Sequence, residues 1–336
     1  HARAHPEKSV IVASAVHFMA EAVAILAHEH QQVWITNPKA GCTMEMMATD
    51  DMVLPCADQL LERYGDDLLV VAYMNTSGRI KALAGRTGGS ACTSSNAPAV
   101  MRWALDQGRK VMFVPDEHLG RNTAVRIGLT PDQMAVLPDP REGPIEITDA
   151  SVDGGLAALD RADVLLWRSF CGVHTIFTAE MVRWWRGQGW EVLIHPESPL
   201  EAVQEADGAG STNFLWERIM NAPAGARIAV GTEGHFVRNA AEQAQLRGVE
   251  VRHLAEVPGF RQAGCGCATM SRNDPPHLAG TLDLLRRGEA PDINRVLPGD
   301  TVNSATMERD RLDPAERAEI AAEARRALDR MIEIVG

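Results

Sequence analysis

The sequence lacks any apolar run that approaches the about 18 residues of a membrane-spanning helix. It also lacks an excess of basic residues, because 33 Lys and Arg stand against 45 Asp and Glu and the formal net charge is −12. That charge disfavours nucleic acid or an anionic membrane as the main partner. The start, HARAHPEKSV, lacks the architecture of a signal peptide, so we expect a cytoplasmic protein.

The cysteines lack the close spacing of a zinc ribbon. There are six: Cys42, Cys56, Cys92, Cys171, Cys265 and Cys267. In a long chain of this kind they are more typically buried, metal-binding or catalytic than paired in disulfides. In WRSFCGVHTIF, the spacing of Cys171 and His174 leaves a metal corner, a thiol with its base, and two unrelated core residues all open.

What the sequence does have is a repeated alternation of two patterns. Short apolar runs such as DLLVVAYMNTS and ADVLLWRSFCGVH are typical of strands in a parallel sheet covered on both faces. Helical patterns such as APAVMRWALDQG lie between them, which predicts an α/β fold of several small doubly wound layers. We divide the 336 residues into 1–65, 66–175, 176–304 and a C-terminal helix within 305–336.

Two segments stand outside this repeat. The stretch from Pro138 to Asp163, rich in Asp, Pro and Gly, predicts an inserted loop or linker. Asp313, followed by Pro and then Glu three residues on, is typical of a helix start. We expect the last helix to dock through an apolar stripe: Ile320, Leu328, Met331 and Ile332.

The chemistry-bearing residues follow the predicted strands, where open α/β sheets bind their ligands. Cys42, Cys171 and Cys267 each fall in a different unit, and packing about a pseudo-threefold axis would bring them to one inorganic centre. The alternative is that each cysteine is a small buried hydrophobe.

Polar residues follow other strands in the same way. Ser211 and Thr212 in GAGSTN suit either an anion site at a helix start or an ordinary N-cap. His195 and Glu197 in IHPES suit either an acid–base pair or a buried histidine with its partner. Tyr73 and Asn75 in AYMNTS and Ser94 in ACTSSN stand at comparable positions.

Ten short motifs, taken together and in order, resemble the quinolinate synthase family of NAD biosynthesis. They are VHFMAE (16–21), AGC (40–42), YMNTS (73–77), CTSSNA (92–97), PDEHLG (115–120), CGVH (171–174), HPE (195–197), GST (210–212), GTEG (231–234) and CATM (267–270).

The resemblance implies three similar αβα units around a pseudo-threefold axis, with the site at the centre. It implies a [4Fe-4S] cluster with Cys42, Cys171 and Cys267 as ligands and one open iron acting as a Lewis acid. Cys265 would be a bystander, and Cys56 and Cys92 would not bind iron.

The implied reaction condenses iminoaspartate with dihydroxyacetone phosphate to quinolinate, with loss of phosphate and two waters. L-aspartate oxidase would supply the iminoaspartate. By resemblance, Glu197 transfers protons, Tyr73 and Asn75 face the substrate, and His174 and His195 bind or polarise the intermediate. The residues that would hold a carboxylate or phosphate are Ser94, Ser211 and Thr212.

The chain departs from the family pattern in four places. An upstream histidine–tyrosine motif and an Asp-Ser turn have no counterpart, so we expect either roughly fifty preceding residues or a divergent homologue. The loop Thr36-Asn37-Pro38, Ser198 and the segment after Met270 also differ. Two further interpretations therefore stay open: a cluster-dependent enzyme with another amino-acid or carbonyl substrate, and a non-catalytic iron–sulfur sensor. A thiol hydrolase built on Cys171 and His174 is the least favoured, since spacing alone does not aim sulfur at imidazole.

Overall fold

The structure is a computed structural model that describes residues 2–259, 266–302 and 308–336. Its strands are β1 (Val10–Ala13), β2 (Gln32–Ile35), β3 (Leu68–Tyr73), β4 (Ser90–Cys92), β5 (Lys110–Val114), β6 (Met134–Val136), β7 (Val164–Leu166), β8 (Glu191–Ile194), β9 (Gly208–Ala209), β10 (Arg227–Gly231), β11 (Glu250–His253), β12 (Arg295–Val296), β13 (Thr301–Val302) and β14 (Arg309–Asp310). Its α-helices are α1 (His17–Leu26), α2 (Asp50–Tyr64), α3 (Gly78–Arg86), α4 (Ala97–Asp106), α5 (Glu117–Arg126), α6 (Gly155–Arg161), α7 (Ala179–Gly187), α8 (Leu200–Glu205), α9 (Thr212–Met220), α10 (Gly234–Gln245), α11 (Pro275–Arg287) and α12 (Pro314–Val335).

Three sheets carry the described fold, and parallel pairing dominates them. The second and third sheets are parallel throughout. Their strand orders are β4-β3-β5-β7-β6 for the second sheet and β11-β10-β8-β9 for the third. The first joins β1 and β2 in parallel and adds β12 antiparallel to β2. A small antiparallel pair, β13 and β14, stands apart. The predicted α/β fold of repeated layers with parallel sheets is therefore confirmed.

The strands form as the apolar runs predict. Every residue of β3 is buried, because both faces of the second sheet are covered by helices and apolar side chains are favoured on both. Two separate apolar clusters line the two faces of this sheet: Leu68 and Val70 belong to one, and Leu69 and Val71 to the other. This alternation is what a strand with a two-residue side-chain period requires.

The C-terminal helix begins where the sequence predicts. The carboxylate of Asp313 accepts hydrogen bonds from the amides of Ala315 and Glu316, and Pro314 is the first helical residue. Ile320 and Leu328 are buried in the cluster that includes residues of α3. One part of the predicted stripe was wrong, because Ile332 lies on the outer side of the helix and is 47% exposed.

Two observations qualify the predicted organisation. The segment from Pro138 to Asp163 is not only a loop, because it contains α6, which buries Leu159 against the core. The strand β12 comes from the stretch assigned to the third unit but hydrogen-bonds to the first sheet. The division at residues 65, 175 and 304 stays a prediction.

The carboxyl ends of the strands carry the polar motifs. Tyr73 ends β3, Asp116 follows β5 by two residues, and His195 and Thr232 directly follow β8 and β10. Parallel pairing brings such ends to one edge of each sheet. Within the described ranges, no helix is both long and apolar enough to cross a membrane.

Candidate metal and active site

Glu197 is the centre of a buried hydrogen-bond network. Its Oε1 accepts a 2.6 Å hydrogen bond from the Tyr73 hydroxyl, and its Oε2 lies 2.8 Å from Nδ1 of His174. Tyr73 and Glu197 are 124 positions apart in sequence, so the second and third sheets meet here. The side chain is 3% exposed, and both carboxylate oxygens have a partner inside the protein.

Two histidines stack beside this carboxylate. The ring centroids of His174 and His195 are 4.4 Å apart with 19° between the planes. His174 also contacts Oγ1 of Thr232 through Nε2 at 3.0 Å. The amide of Glu197 donates to Nδ1 of His195 at 3.4 Å, so this nitrogen acts as an acceptor and the proton of a neutral ring is on Nε2.

Burial and neighbouring charges fix the protonation states. Burial, and then the charge of His174, lower the pKa of His195 to about 3. Burial opposes ionisation of Glu197, but the charges of His195 and His174 and the hydrogen bonds from His174 and Tyr73 lower its pKa to about 2. Burial, and then the charge of Glu197, raise the pKa of Tyr73 well above its usual value. At neutral pH the site therefore holds an ionised glutamate, a neutral His195 and a protonated tyrosine.

Cys171 contacts this network, and Cys42 lies near it. The sulfur of Cys171 and ligand atoms of His174 and Glu197 all lie within 4.8 Å of one another. Nδ2 of Asn75 is 3.9 Å from the sulfur of Cys42. Burial raises the pKa of Cys42 above that of an ordinary thiol. The nearby Glu45, Glu197 and Cys267 raise it further. Glu197 and Cys267 are therefore close enough to Cys42 to influence its ionisation.

The donor set suits a soft metal centre better than a thiol nucleophile. Burial, and then the charge of Glu197, raise the pKa of Cys171, so its sulfur is not activated as a thiolate beside His174. Cys42, Cys171 and Cys267 are all free thiols. Thiolates select zinc, copper(I) and iron–sulfur clusters, and a bound cation would offset the cost of ionising Cys42 and Cys171.

The backbone amide of each of these cysteines donates to a side-chain carboxyl group. Cys42 donates to Oε2 of Glu45 at 3.0 Å, Cys171 to Oδ2 of Asp116 at 3.2 Å, and Cys267 to Oε1 of Glu233 at 3.1 Å. No role was predicted for the acids of the motifs PDEHLG and GTEG. An acidic residue directly before a helix and after a buried strand was the available sign.

A second buried charge cluster supports the turn that carries Asn75. Nζ of Lys81 donates to the carbonyls of Met74 and Thr76, which flank Asn75. Burial lowers the pKa of Lys81 to about 8, although the nearby acids Glu21, Glu45 and Asp50 oppose that change. Glu21 in turn accepts hydrogen bonds from the amides of Gly78 and Gly299. This network was not anticipated from the sequence.

The remaining predicted site residues lie around the edge. Ser94 lines a cavity of about 300 Å³ with Asn122 and Pro196, and Pro196 separates His195 from Glu197. Ser211 is the N-cap of α9 and accepts a hydrogen bond from the amide of Phe214 at 3.3 Å. Thr212, the first residue of that helix, is exposed.

The other cysteines have different surroundings. Cys56 and Cys92 are fully buried in two apolar clusters. Cys265 lies outside the described residues.

Comparison with known proteins agrees with this geometry. The sequence model of the family described as quinolinate synthetase A protein matches residues 1–333. A quinolinate synthase of Corynebacterium glutamicum is 38% identical over 99% of this chain and 76% of its own length. Those of Geobacillus kaustophilus and Streptomyces coelicolor are 37% and 40% identical, over 98% and 88% of this chain and 80% and 72% of theirs. The chain belongs to the quinolinate synthetase A family.

Proposed function

We propose that this protein is a quinolinate synthase that condenses iminoaspartate with dihydroxyacetone phosphate and releases phosphate and two waters. The observation that carries the proposal is the ionised Glu197, held by Tyr73 and His174 within reach of the sulfur of Cys171. Membership of the quinolinate synthetase A family supports the same conclusion.

Cys42, Cys171 and Cys267 are the residues that would hold a [4Fe-4S] cluster. Their separate loops and their free thiols fit three thiolate ligands. With only three cysteine ligands, one iron would be open and would act as a Lewis acid toward a substrate carboxylate or hydroxyl. Alternatively, Cys171, His174 and Glu197 would together bind a single divalent ion at this position.

The side chains supply proton transfer and orientation. Glu197 is ionised, so it accepts a proton from substrate carbon or nitrogen, and Tyr73 and His174 hold its two oxygens in place. His195 is neutral and donates through Nε2 to a carbonyl or carboxylate of the intermediate. Asn75, beside the sulfur of Cys42, orients the substrate at the edge of the cysteine centre.

The anionic ends of the substrates would be held by hydroxyl groups rather than by a basic patch. The oxygen of Ser211 caps α9, but its hydroxyl hydrogen is still available to donate to a carboxylate or phosphate. Thr212 lies at the same helix start, where backbone amides and the helix dipole favour an anion. Ser94 would reach the ligand from the cavity behind Pro196.

A related enzyme with another amino-acid or carbonyl substrate is the second candidate. It is favoured by a contact between two of the departures from the family pattern. Asn37 donates through Nδ2 to the carbonyl of Arg272, which lies just after Met270. The two segments that contain Asn37 and Arg272 therefore contact each other, and together they depart from the family pattern near Cys267. Supply of iminoaspartate by L-aspartate oxidase and a cytoplasmic location stay predictions.

The test is anaerobic purification, iron and sulfide analysis, and turnover with iminoaspartate and dihydroxyacetone phosphate. We expect about four irons and four sulfides per chain, and quinolinate as the product. Glu197→Gln should retain the iron and lower kcat by about 10²- to 10⁴-fold, because proton transfer loses its base. Glu242→Gln, an exposed position on α10, is the matched control and should keep full activity.

The outcomes separate the candidates. Wild-type turnover surviving in Glu197→Gln would contradict the assigned base. A full cluster without quinolinate would favour the altered-substrate enzyme if other carbonyl substrates turn over, and the sensor if none does.

A further inference from the structure

The three cysteines of the site share a feature that does not involve their sulfurs. Each backbone N–H donates to a side-chain carboxyl group, from Glu45, Asp116 or Glu233. Asp116 is fully buried, and its hydrogen bond joins residues 55 positions apart. Glu233 and Cys267 are 34 positions apart. Local turn geometry does not account for such pairs.

Two of these acids connect a helix start to a cysteine loop. Asp116 is the N-cap of α5: Oδ1 accepts from the amide of Leu119 at 2.6 Å, while Oδ2 accepts from Cys171. Glu233 is the N-cap of α10: Oε2 accepts from the amides of His235 and Phe236, while Oε1 accepts from Cys267 and also lies 2.7 Å from Nδ1 of His235. Each side chain caps a helix with one oxygen and contacts a cysteine amide with the other.

The same arrangement recurs in two sheets. Asp116 stands between β5 and α5 of the second sheet, and Glu233 stands between β10 and α10 of the third. Asp313 differs, because it caps α12 through Oδ1 alone and has no hydrogen bond to a cysteine among the described residues. An N-cap needs one acceptor oxygen. The second oxygen of Asp116 therefore serves the cysteine loop, and that of Glu233 serves both its cysteine loop and the ring of His235.

Fixing the amide fixes the direction of the cysteine. With its N–H held by a rigid helix end, the Cα–Cβ bond of Cys171 can swing little, and the sulfur stays beside Glu197. Outer groups of this kind orient metal ligands and are worth about 10- to 100-fold in metal affinity. The amide is also kept from donating to a sulfur.

We propose that Asp116 and Glu233, assisted by Glu45, are positioning residues that hold the cysteine loops at the separation an iron–sulfur cluster requires. The proposal rests on the cysteine ligand set of the proposed function. It makes the site largely pre-formed, because the three carboxyl groups bind backbone and not the metal.

Asp116→Asn tests this directly. Asparagine keeps an acceptor oxygen for the amide of Leu119 but turns an NH₂ group toward the amide of Cys171, so the cap survives and the tie to the cysteine is lost. Asp313→Asn is the control, because it makes the same change at a helix cap that has no hydrogen bond to a cysteine amide among the described residues. Glu233→Gln is the second variant, because its side chain is less buried than that of Asp116 and tolerates the change more easily.

Three measurements on the full chain separate this proposal from the cluster assignment. In cluster-free protein, hydrogen exchange in a peptide containing Cys171 should become about tenfold faster in Asp116→Asn, with no change in Asp313→Asn. In reconstituted protein, release of the cluster to a chelator, followed by its visible absorption, should become about 10- to 100-fold faster. The low-temperature electron paramagnetic resonance signal of the reduced cluster should also change shape.

The results decide each claim separately. Wild type that takes up no iron overturns the ligand set, while the exchange measurement still decides whether Asp116 holds the loop. Unchanged exchange at Cys171 and wild-type cluster release in both Asp116→Asn and Glu233→Gln would overturn the positioning role.

Discussion

Cys92 and Cys171 both stand at the carboxyl side of strands in the second sheet and both contact the same apolar cluster, yet their surroundings differ. Cys92 is the last residue of β4 and packs, fully buried, in the cluster of Val71, Val100 and Met101. Cys171 lies five residues beyond β7, is only partly buried, and is held by Asp116.

The difference teaches that the loop beyond the strand, and not the strand end itself, carries the chemistry. The side chain of a residue within a strand points to one face of the sheet, alternating with its neighbours, and here packs in an apolar cluster. The side chain of a loop residue a few positions later does not follow this alternation and can point toward another sheet. The sulfur of Cys171 thus meets Glu197, which comes from beyond β8 of the third sheet.

The largest expected effect comes from replacing each of these cysteines by serine. Cys171→Ser should lose most of the iron, because a hydroxyl is a poor ligand for a cluster, with little change in the free energy of unfolding. Cys92→Ser should retain the iron and lose about 1–3 kcal/mol, because it buries a hydroxyl among apolar groups. Iron analysis and urea unfolding of the cluster-free proteins measure the two effects. The claim that Cys171 but not Cys92 binds iron would be contradicted by full iron content in Cys171→Ser. Equal iron loss in the two variants would contradict it as well.

A smaller effect is expected in the dependence of stability on pH. The pKa of His195 is about 3 in the folded protein, below its ordinary value of 6.5, so below pH 6.5 the unfolded chain binds a proton that the folded protein does not. Stability is therefore fully present above pH 6.5 and falls as the pH drops toward 3. His195→Gln should reduce this slope by up to about 1.4 kcal/mol per pH unit.

The matched control for that measurement is His277→Gln, an exposed position on α11. Unfolding in urea at several pH values between 3 and 7 gives the slopes. A slope in His195→Gln equal to that of wild type would show that the buried histidine beyond β8 does not titrate as its surroundings require.

The smallest expected effect separates capping from ligand binding at Ser211. Ser211→Ala should lose about 1 kcal/mol of stability with the cap of α9 and should raise the KM for dihydroxyacetone phosphate. Ser211→Asp keeps an acceptor for the cap but brings a negative charge to the anion, so KM should rise further while stability is kept. Steady-state kinetics and thermal unfolding check both. An unchanged KM in Ser211→Asp would make this serine a cap alone.

Much of the architecture could be predicted from local sequence. The apolar runs identify strands because both faces of β3 are buried, and Asp313 identifies the start of α12 because its capping bonds are local. The helix α6 was missed, since its seven residues lie within a stretch rich in Asp, Pro and Gly. The exposure of Ile332 was also missed, because the helical period does not say how far a covering element extends.

The sequence by itself determined the repeated strand–helix units, the helix caps and the residue types of the site, because each depends on neighbours within a few positions. Only the tertiary structure decided that Tyr73 and His174 share the carboxylate of Glu197, and that Asp116 holds Cys171. Those contacts join residues 124, 23 and 55 positions apart. Their geometry depends on how separate sheets pack. This packing is set by apolar clusters, and the type of an apolar residue does not specify which distant residue it contacts.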